Sequence, residues 1–324
     1  MKSNEYIQSK LDELKQSLAA EAPSDKDALK AEIFRLLMSK KFRKYSVTSE
    51  YQQHIKNAIS ICVDQNEPIK LVLFFGGYKL WRLEESPQVD WAEMFSLMYY
   101  SDWLRPVCQI YRPGVWFDFF FDDTIAVMLN NLDPSETEEY RQSFLRLLKL
   151  IKEFAPQNLK FTCTRLIDQY ANRQEFEDDL QDKMAKLKKD LGDNFSELDE
   201  KRREIIEMNV KVSEEQKNDP KWREKVALMH DAHFLLSKSR PYYITDNKIF
   251  LSTARITIGA LAVGTTKRTI AKFWCGVGVL QKDGDDFHEL VLSPKQLATA
   301  KFSTQKVSIP GLVGKNFNKI RILD

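Results

Sequence analysis

Three short, almost wholly apolar runs, with helix-like stretches between them, constrain this chain more than any other feature. "IKLVLFF" (69–75) lies between Pro68 and Gly76-Gly77, "VWFDFFFDD" (115–123) follows the turn Arg112-Pro113-Gly114, and "LKFTCTRLID" (159–168) follows Asn158. Continuous apolar runs of this length read as strands buried on both faces, the pattern of parallel sheets. Between the first two, residues 89–111 carry apolar side chains at 91, 94, 95, 98, 99 and 103, a helical stripe with Asp90 as its cap and Pro106 ending or bending it. Residues 133–154 open with a proline and acids and close with lysines, as an amphipathic helix does. Strand, helix, strand, helix, strand predicts a mostly parallel sheet with crossover helices, in effect a Rossmann-like half of an α/β protein. The GxGxxG fingerprint is missing after the first strand, so the sequence points to no dinucleotide and to no other cofactor.

The remaining segments arrange themselves around that core. Residues 4–19 and 25–62 predict helices, the second opening at Ser24. From 175 to 225 acids precede lysines at four-residue offsets, which reads as a solvated helical insertion or as an arm that grips a partner or covers a site. Residues 221–239 predict one more helix, with Val226, Met229, His230 and Phe234 along one face. Beyond 240 the texture is β, and Asp283-Gly284 marks a hairpin. The boundaries are an N-terminal helical segment (1–62), an α/β core (63–174), a charged helical insertion (175–239) and a β-rich C-terminal part that completes the core (240–324).

Composition excludes several classes. At 324 residues the chain can bury a sizeable core, and 43% apolar with 30% charged residues is a globular balance. Forty-nine basic against 47 acidic residues leave a net charge of +2, too little for bulk attraction to nucleic acid or an anionic membrane. Cys62, Cys108, Cys163 and Cys275 stand apart in apolar settings, as buried reduced thiols do. The N-terminus has no apolar signal core, and no apolar run approaches the roughly 18 residues of a membrane helix. The expectation is a cytoplasmic protein that takes a small molecule and binds neither nucleic acid nor membrane.

Open parallel sheets bind ligands beyond the carboxyl ends of their strands. The first run ends at Gly76, Gly77, Tyr78 and Lys79, the second at Asp122 and Asp123, the third at Arg165 and Asp168. Glycines let a backbone approach a ligand closely, and Lys79 and Arg165 can hold a phosphate or carboxylate. Charged residues also follow strands simply because the chain has reached water, and only the convergence of the three ends favours a shared site. Asp118 serves equally as an inward structural group or a catalytic one, and Asp122 is the stronger candidate base. His230 and His233 share a helical face with Asp231 between them. A general base or substrate contact, a metal pair lacking an evident third ligand, and a satisfied structural histidine all remain open there. "GTTKRT" (264–269), with Lys267 and Arg268, reads as a phosphate-cradling nest or as a plain basic turn.

"IKLVLFFGGYK", "VDWAEMFSLMYY" and "QIYRPGVWFDFFFDD" resemble, in order and spacing, the front half of the pyoverdine/dityrosine biosynthesis family, the isocyanide (isonitrile) synthases. The resemblance covers residues 69 to 152. The family's proline-cysteine before its lysine is Gly77-Tyr78 here, and its Ser-Asp-Gly is Phe121-Asp122-Asp123. "FGGYK" together with "FWCGVG" (273–278) is also similar to a set of uncharacterised bacterial proteins. The resemblance implies a biosynthetic enzyme of secondary metabolism, with Lys79, Glu93 and Asp122 at the site, an amino-acid substrate and a sugar-phosphate co-substrate. Two other classes compete with it. One is a transferase using a nucleotide and a metal held by Asp122 and Asp123. The other is a non-enzymatic protein that binds a partner through its charged arm.

Overall fold

β1 (Ile69–Phe75), β2 (Val115–Phe121) and β3 (Leu159–Arg165) form as the apolar runs predict, with the second and third shorter than expected. β4 (Lys248–Ser252) and β5 (Leu261–Ala262) join them. The five make one sheet of order β3-β2-β1-β4-β5, every pair parallel. The structure is a computed structural model that describes residues 2–16, 21–76, 83–130, 132–191, 210, 213–239, 245–253 and 259–323.

The sheet is covered on both faces. On the first face, Leu71, Leu73 and Phe75 of β1 and Phe117, Phe119 and Phe121 of β2 join the main core. That core also takes in α1 (Ser3–Lys15), α2 (Lys26–Leu37), α3 (Ser49–Asp64), α4 (Trp91–Ile110) and α6 (Pro134–Ile151). A short helix, α5 (Asp123–Asn130), precedes α6. On the second face, Val72 and Phe120 pack with Phe176 and Leu180 of α7 (Arg173–Leu191) and with Met229, Ala232 and Leu236 of α8 (Pro220–Ser239). The alternation of β1 side chains between two separate cores is what period-2 geometry requires of a strand buried on both faces.

The structure refines three expectations. The stretch 25–62 is two helices, because Thr48 accepts a hydrogen bond from the Tyr51 N–H at 3.2 Å and caps a fresh start. Just before that cap, the chain pairs beside the β5 edge: Lys44 N–H donates to Ala262 O at 3.0 Å and Gly264 N–H to Phe42 O at 3.1 Å. Pro106 sits inside α4 without ending it. The charged insertion is also not solvated throughout, since Phe176 and Leu180 are wholly buried on the sheet.

Residues beyond β5 build a second sheet from β6 (Val277–Asp283), β7 (Asp286–Leu292), β8 (Phe302–Lys306) and β9 (Lys319–Leu323), in the order β7-β6-β9-β8. The expected hairpin joins β6 to β7, with Gly284 at φ +60°. This sheet leans on the head of α4. Trp91 donates its indole N–H to Lys319 O at 2.8 Å, and Gly278 N–H approaches Asp90 Oδ1 at 3.4 Å. No helix among the described residues is long and apolar enough to cross a membrane.

Candidate active site at the carboxyl rim

The strand ends lie level. Phe75 of β1 pairs with Phe121 of β2, which pairs with Arg165 of β3. The Asp122 N–H donates to Phe75 O at 3.0 Å, and the Leu166 N–H to Phe121 O at 3.2 Å, so the parallel ladder runs to its last rung. Gly76, Asp122 and Arg165 are therefore brought to one rim, the span from β1 to β3 being roughly 10 Å at ordinary strand spacing. The sheet order reverses at β1, whose other neighbour is β4. Leu73 pairs with Leu251, which sets the buried Thr253 beside the end of β1. Ligand crevices open at such a switch point.

Asp122 is buried and stands immediately before the first residue of α5. A carboxylate there meets the positive end of the helix. Arg165 lies on the first face, where Glu138 of α6 sits 3.7 Å away. Glu138 is itself gripped by Nη2 and Nε of Arg141, at 2.8 and 2.9 Å, which holds its carboxyl down to about 2. Two guanidinium groups thus approach one carboxylate. Asp168, exposed on the turn after β3, is close enough to Arg141 to help raise its pKa.

Glu93 is bound into the head of α4. It lies in the first turn of α4, fully buried, accepting the Asp90 N–H at 2.8 Å in a capping box and the Tyr140 O–H at 2.8 Å. His230 is buried on α8 between two members of the second core, with Nδ1 3.4 Å from Asp231 Oδ1. The side chains of His233 and Asp123 lie outside the described residues, as do Gly77, Tyr78 and Lys79. Among the described residues, no group of three or more His, Cys, Asp or Glu side chains is placed to hold a metal ion.

Lys267 and Arg268 lie in the loop that follows β5, the strand at the sheet edge opposite β3. Thr265 and Thr266 give their amides to Thr269 O at 2.9 and 3.3 Å, and Arg268 reaches Gln281 and Asp283 of β6, each at 3.3 Å. The turn is fastened to the second sheet.

Asp118 lies within β2 on the second face, wholly buried, and accepts hydrogen bonds from Thr162 and from Thr164 (3.0 Å). Lys248 belongs to the same polar patch. Burial pushes its pKa down to about 8, with Lys70 adding to the effect and Asp118 opposing it. Sequence reasoning raised Asp118 but missed Thr253 and Lys248, since nothing local announces that β4 lies beside β1.

These features define a doubly wound α/β protein with a polar rim at its strand ends. Among solved structures, the chain is similar to the PvcA protein from Pseudomonas aeruginosa, with a TM-score of 0.52 and 16% identity, over 91% of this chain and 99% of that one. At that identity the likeness shows the fold. No family model matches the chain, and no curated protein matches it by sequence.

Proposed function

We propose that this protein is a biosynthetic enzyme of small-molecule, secondary metabolism, working at the carboxyl rim of its parallel sheet. Its substrate is amino-acid-like and its co-substrate a sugar phosphate, as for the isocyanide synthases that residues 69–152 resemble. One observation carries the reading: Phe75, Phe121 and Arg165 end three adjacent strands at one level, with Gly76 and Asp122 one residue beyond. The likeness to PvcA over nearly the whole chain supports it. In this reading Arg165 holds a phosphate or carboxylate and Asp122 accepts the hydrogens of an amine or acts as base. Lys79, by the resemblance, supplies a second cation, and His230 moves protons.

A thermal-shift panel of amino acids, sugar phosphates, and nucleotides with Mg²⁺ tests it. A rise in melting temperature with an amino acid or a sugar phosphate is expected. Arg165→Ala and Asp122→Asn should abolish that rise while melting within a few degrees of wild type. Mass spectrometry of an amino acid and sugar phosphate incubated together should then find an amine nitrogen bearing a new carbon. A response confined to nucleotides with Mg²⁺ would transfer the case to the metal-dependent transferase.

A further inference from the structure

The segment "FWCGVG" (273–278) has a structural reason that the rim residues alone do not use. Phe273–Cys275 form a single 3₁₀ turn leading into β6. Phe273 stacks on Phe75 with ring centroids 5.5 Å apart, and Trp274 meets Phe75 edge-on at 5.7 Å. Phe75 is the last residue of β1, so this turn lies against the strand end. Its position is fixed by the glycines that follow. A Cβ on Gly278 would fall 2.2 Å from the Trp91 carbonyl carbon and 2.3 Å from Ala92 N. A Cβ on Gly276 would fall 2.6 Å from Val291 Cγ1 and 2.7 Å from Leu292 O. Bare backbone at Gly278 lets β6 lie on the head of α4, and bare backbone at Gly276 lets the end of the 3₁₀ turn lie on β7, beside Trp274 and its contact with Phe75.

Trp274 is only 4% exposed, yet its buried indole Nε1 has no hydrogen-bond partner among the described residues. Trp91 and Trp116, by contrast, donate to Lys319 O and Thr162 Oγ1, each at 2.8 Å. A buried donor left unmade carries its full desolvation penalty, and native interiors pair nearly all such groups. At the carboxyl end of a central parallel strand, the partner that explains it is one that arrives with the ligand. We propose that Trp274 is a substrate-binding residue whose indole N–H donates to an acceptor oxygen of the amino-acid-like or sugar-phosphate ligand. This assignment rests on the rim reading. An indole N–H only donates, so the ligand atom is a carboxylate, phosphate, carbonyl or hydroxyl oxygen. The Phe75 and Phe273 rings keep water from the bond and strengthen it.

Trp103 supplies the control. Its Nε1 is equally buried and has no partner among the described residues, but the ring stacks near Phe42 at 6.2 Å. The test uses ¹⁵N-indole spectra of the whole protein, in which the chain's six tryptophans give six signals. Trp274→Phe assigns its own signal, and single variants of the other five assign it by elimination should Trp274→Phe not fold. The probes are glycine, phenylalanine, inorganic phosphate and ribose 5-phosphate, each added alone, so that the responding arm names the ligand half. With a probe that raises the melting temperature, the Trp274 indole proton should move downfield while that of Trp103 stays. Trp274→Phe should bind the same probe about tenfold more weakly, about 1.4 kcal/mol. A stabilising probe that leaves the Trp274 signal unmoved, or binds Trp274→Phe as tightly as wild type, overturns the assignment and spares the rim. If no probe raises the melting temperature, the rim reading falls and this assignment falls with it.

Discussion

Gly278→Ala tests whether the second sheet is wedged rigidly against α4. The added methyl would sit 2.2 Å from the Trp91 carbonyl carbon, 2.3 Å from Ala92 N and 2.5 Å from Trp91 Cβ. Unstrained heavy-atom contacts lie near 3.5–4.0 Å, so β6 must withdraw by more than about 1 Å. Two of the three obstructing atoms are helix backbone, which cannot swing aside. Overpacking costs about 1–3 kcal/mol, and the upper end applies here. Withdrawal also stretches, without fully breaking, the Trp91-to-Lys319 and Gly278-to-Asp90 hydrogen bonds, which costs up to about 2 kcal/mol for the pair. A total of about 3–5 kcal/mol is expected. With an unfolding entropy near 2.1 cal/mol/K per residue, that is a fall of about 4–7 °C in melting temperature for a chain of 324 residues. Gly284→Ala is the comparator, since its φ is +60° but nothing lies within 4 Å of the new methyl. It should cost about 1–2 kcal/mol from backbone strain alone. Equal calorimetric melting of the two variants would refute the wedge.

Three further outcomes follow from buried polar groups. Tyr140→Phe leaves the Glu93 carboxylate one donor short and should cost about 1–3 kcal/mol in urea unfolding; an unchanged midpoint would contradict the architectural role of Glu93. Lys248 gives up its proton at about 8 in the folded chain against 10.5 ordinarily, chiefly through burial. The unfolded state therefore binds more protons across that window, and stability should rise with pH through it by up to about 3 kcal/mol, a slope that Lys248→Met removes. Glu138, held at about 2 by Arg141, stabilises the fold above about 4.5 and loses that contribution as pH falls through about 2. Its side chain is 41% exposed, so solvent screening limits the effect to under about 1 kcal/mol, and Arg141→Met should erase it from acid titrations of stability.

Much of this fold was legible where local chemistry is decisive. Pro68 and Gly76 bracket β1, Asp90 caps α4, and Asp283-Gly284 makes its hairpin, because each signal concerns neighbours in sequence. What the sequence hid was long-range. The 25–62 stretch looked like a single helix because pairing with Phe42, Lys44 and the β5 edge leaves no mark in composition. In α7, Phe176 and Leu180 are a small apolar minority among charges, enough for a buried stripe but too few to show a period. At the rim, the ordering of three strand ends was legible from their apolar runs. Thr253 was not, because parallel pairing of β4 with β1 joins residues far apart in the chain.

That pairing has a consequence during synthesis. The ribosome delivers β1, β2 and β3 well before β4, with the charged helices in between. Until β4 emerges, one side of "IKLVLFF" is an uncovered row of backbone donors and acceptors on a flat apolar strand, the kind of edge that recruits other chains. Fragments ending before residue 248 should therefore aggregate. The crevice between β1 and β4 likewise comes into being only once that late strand has closed the gap.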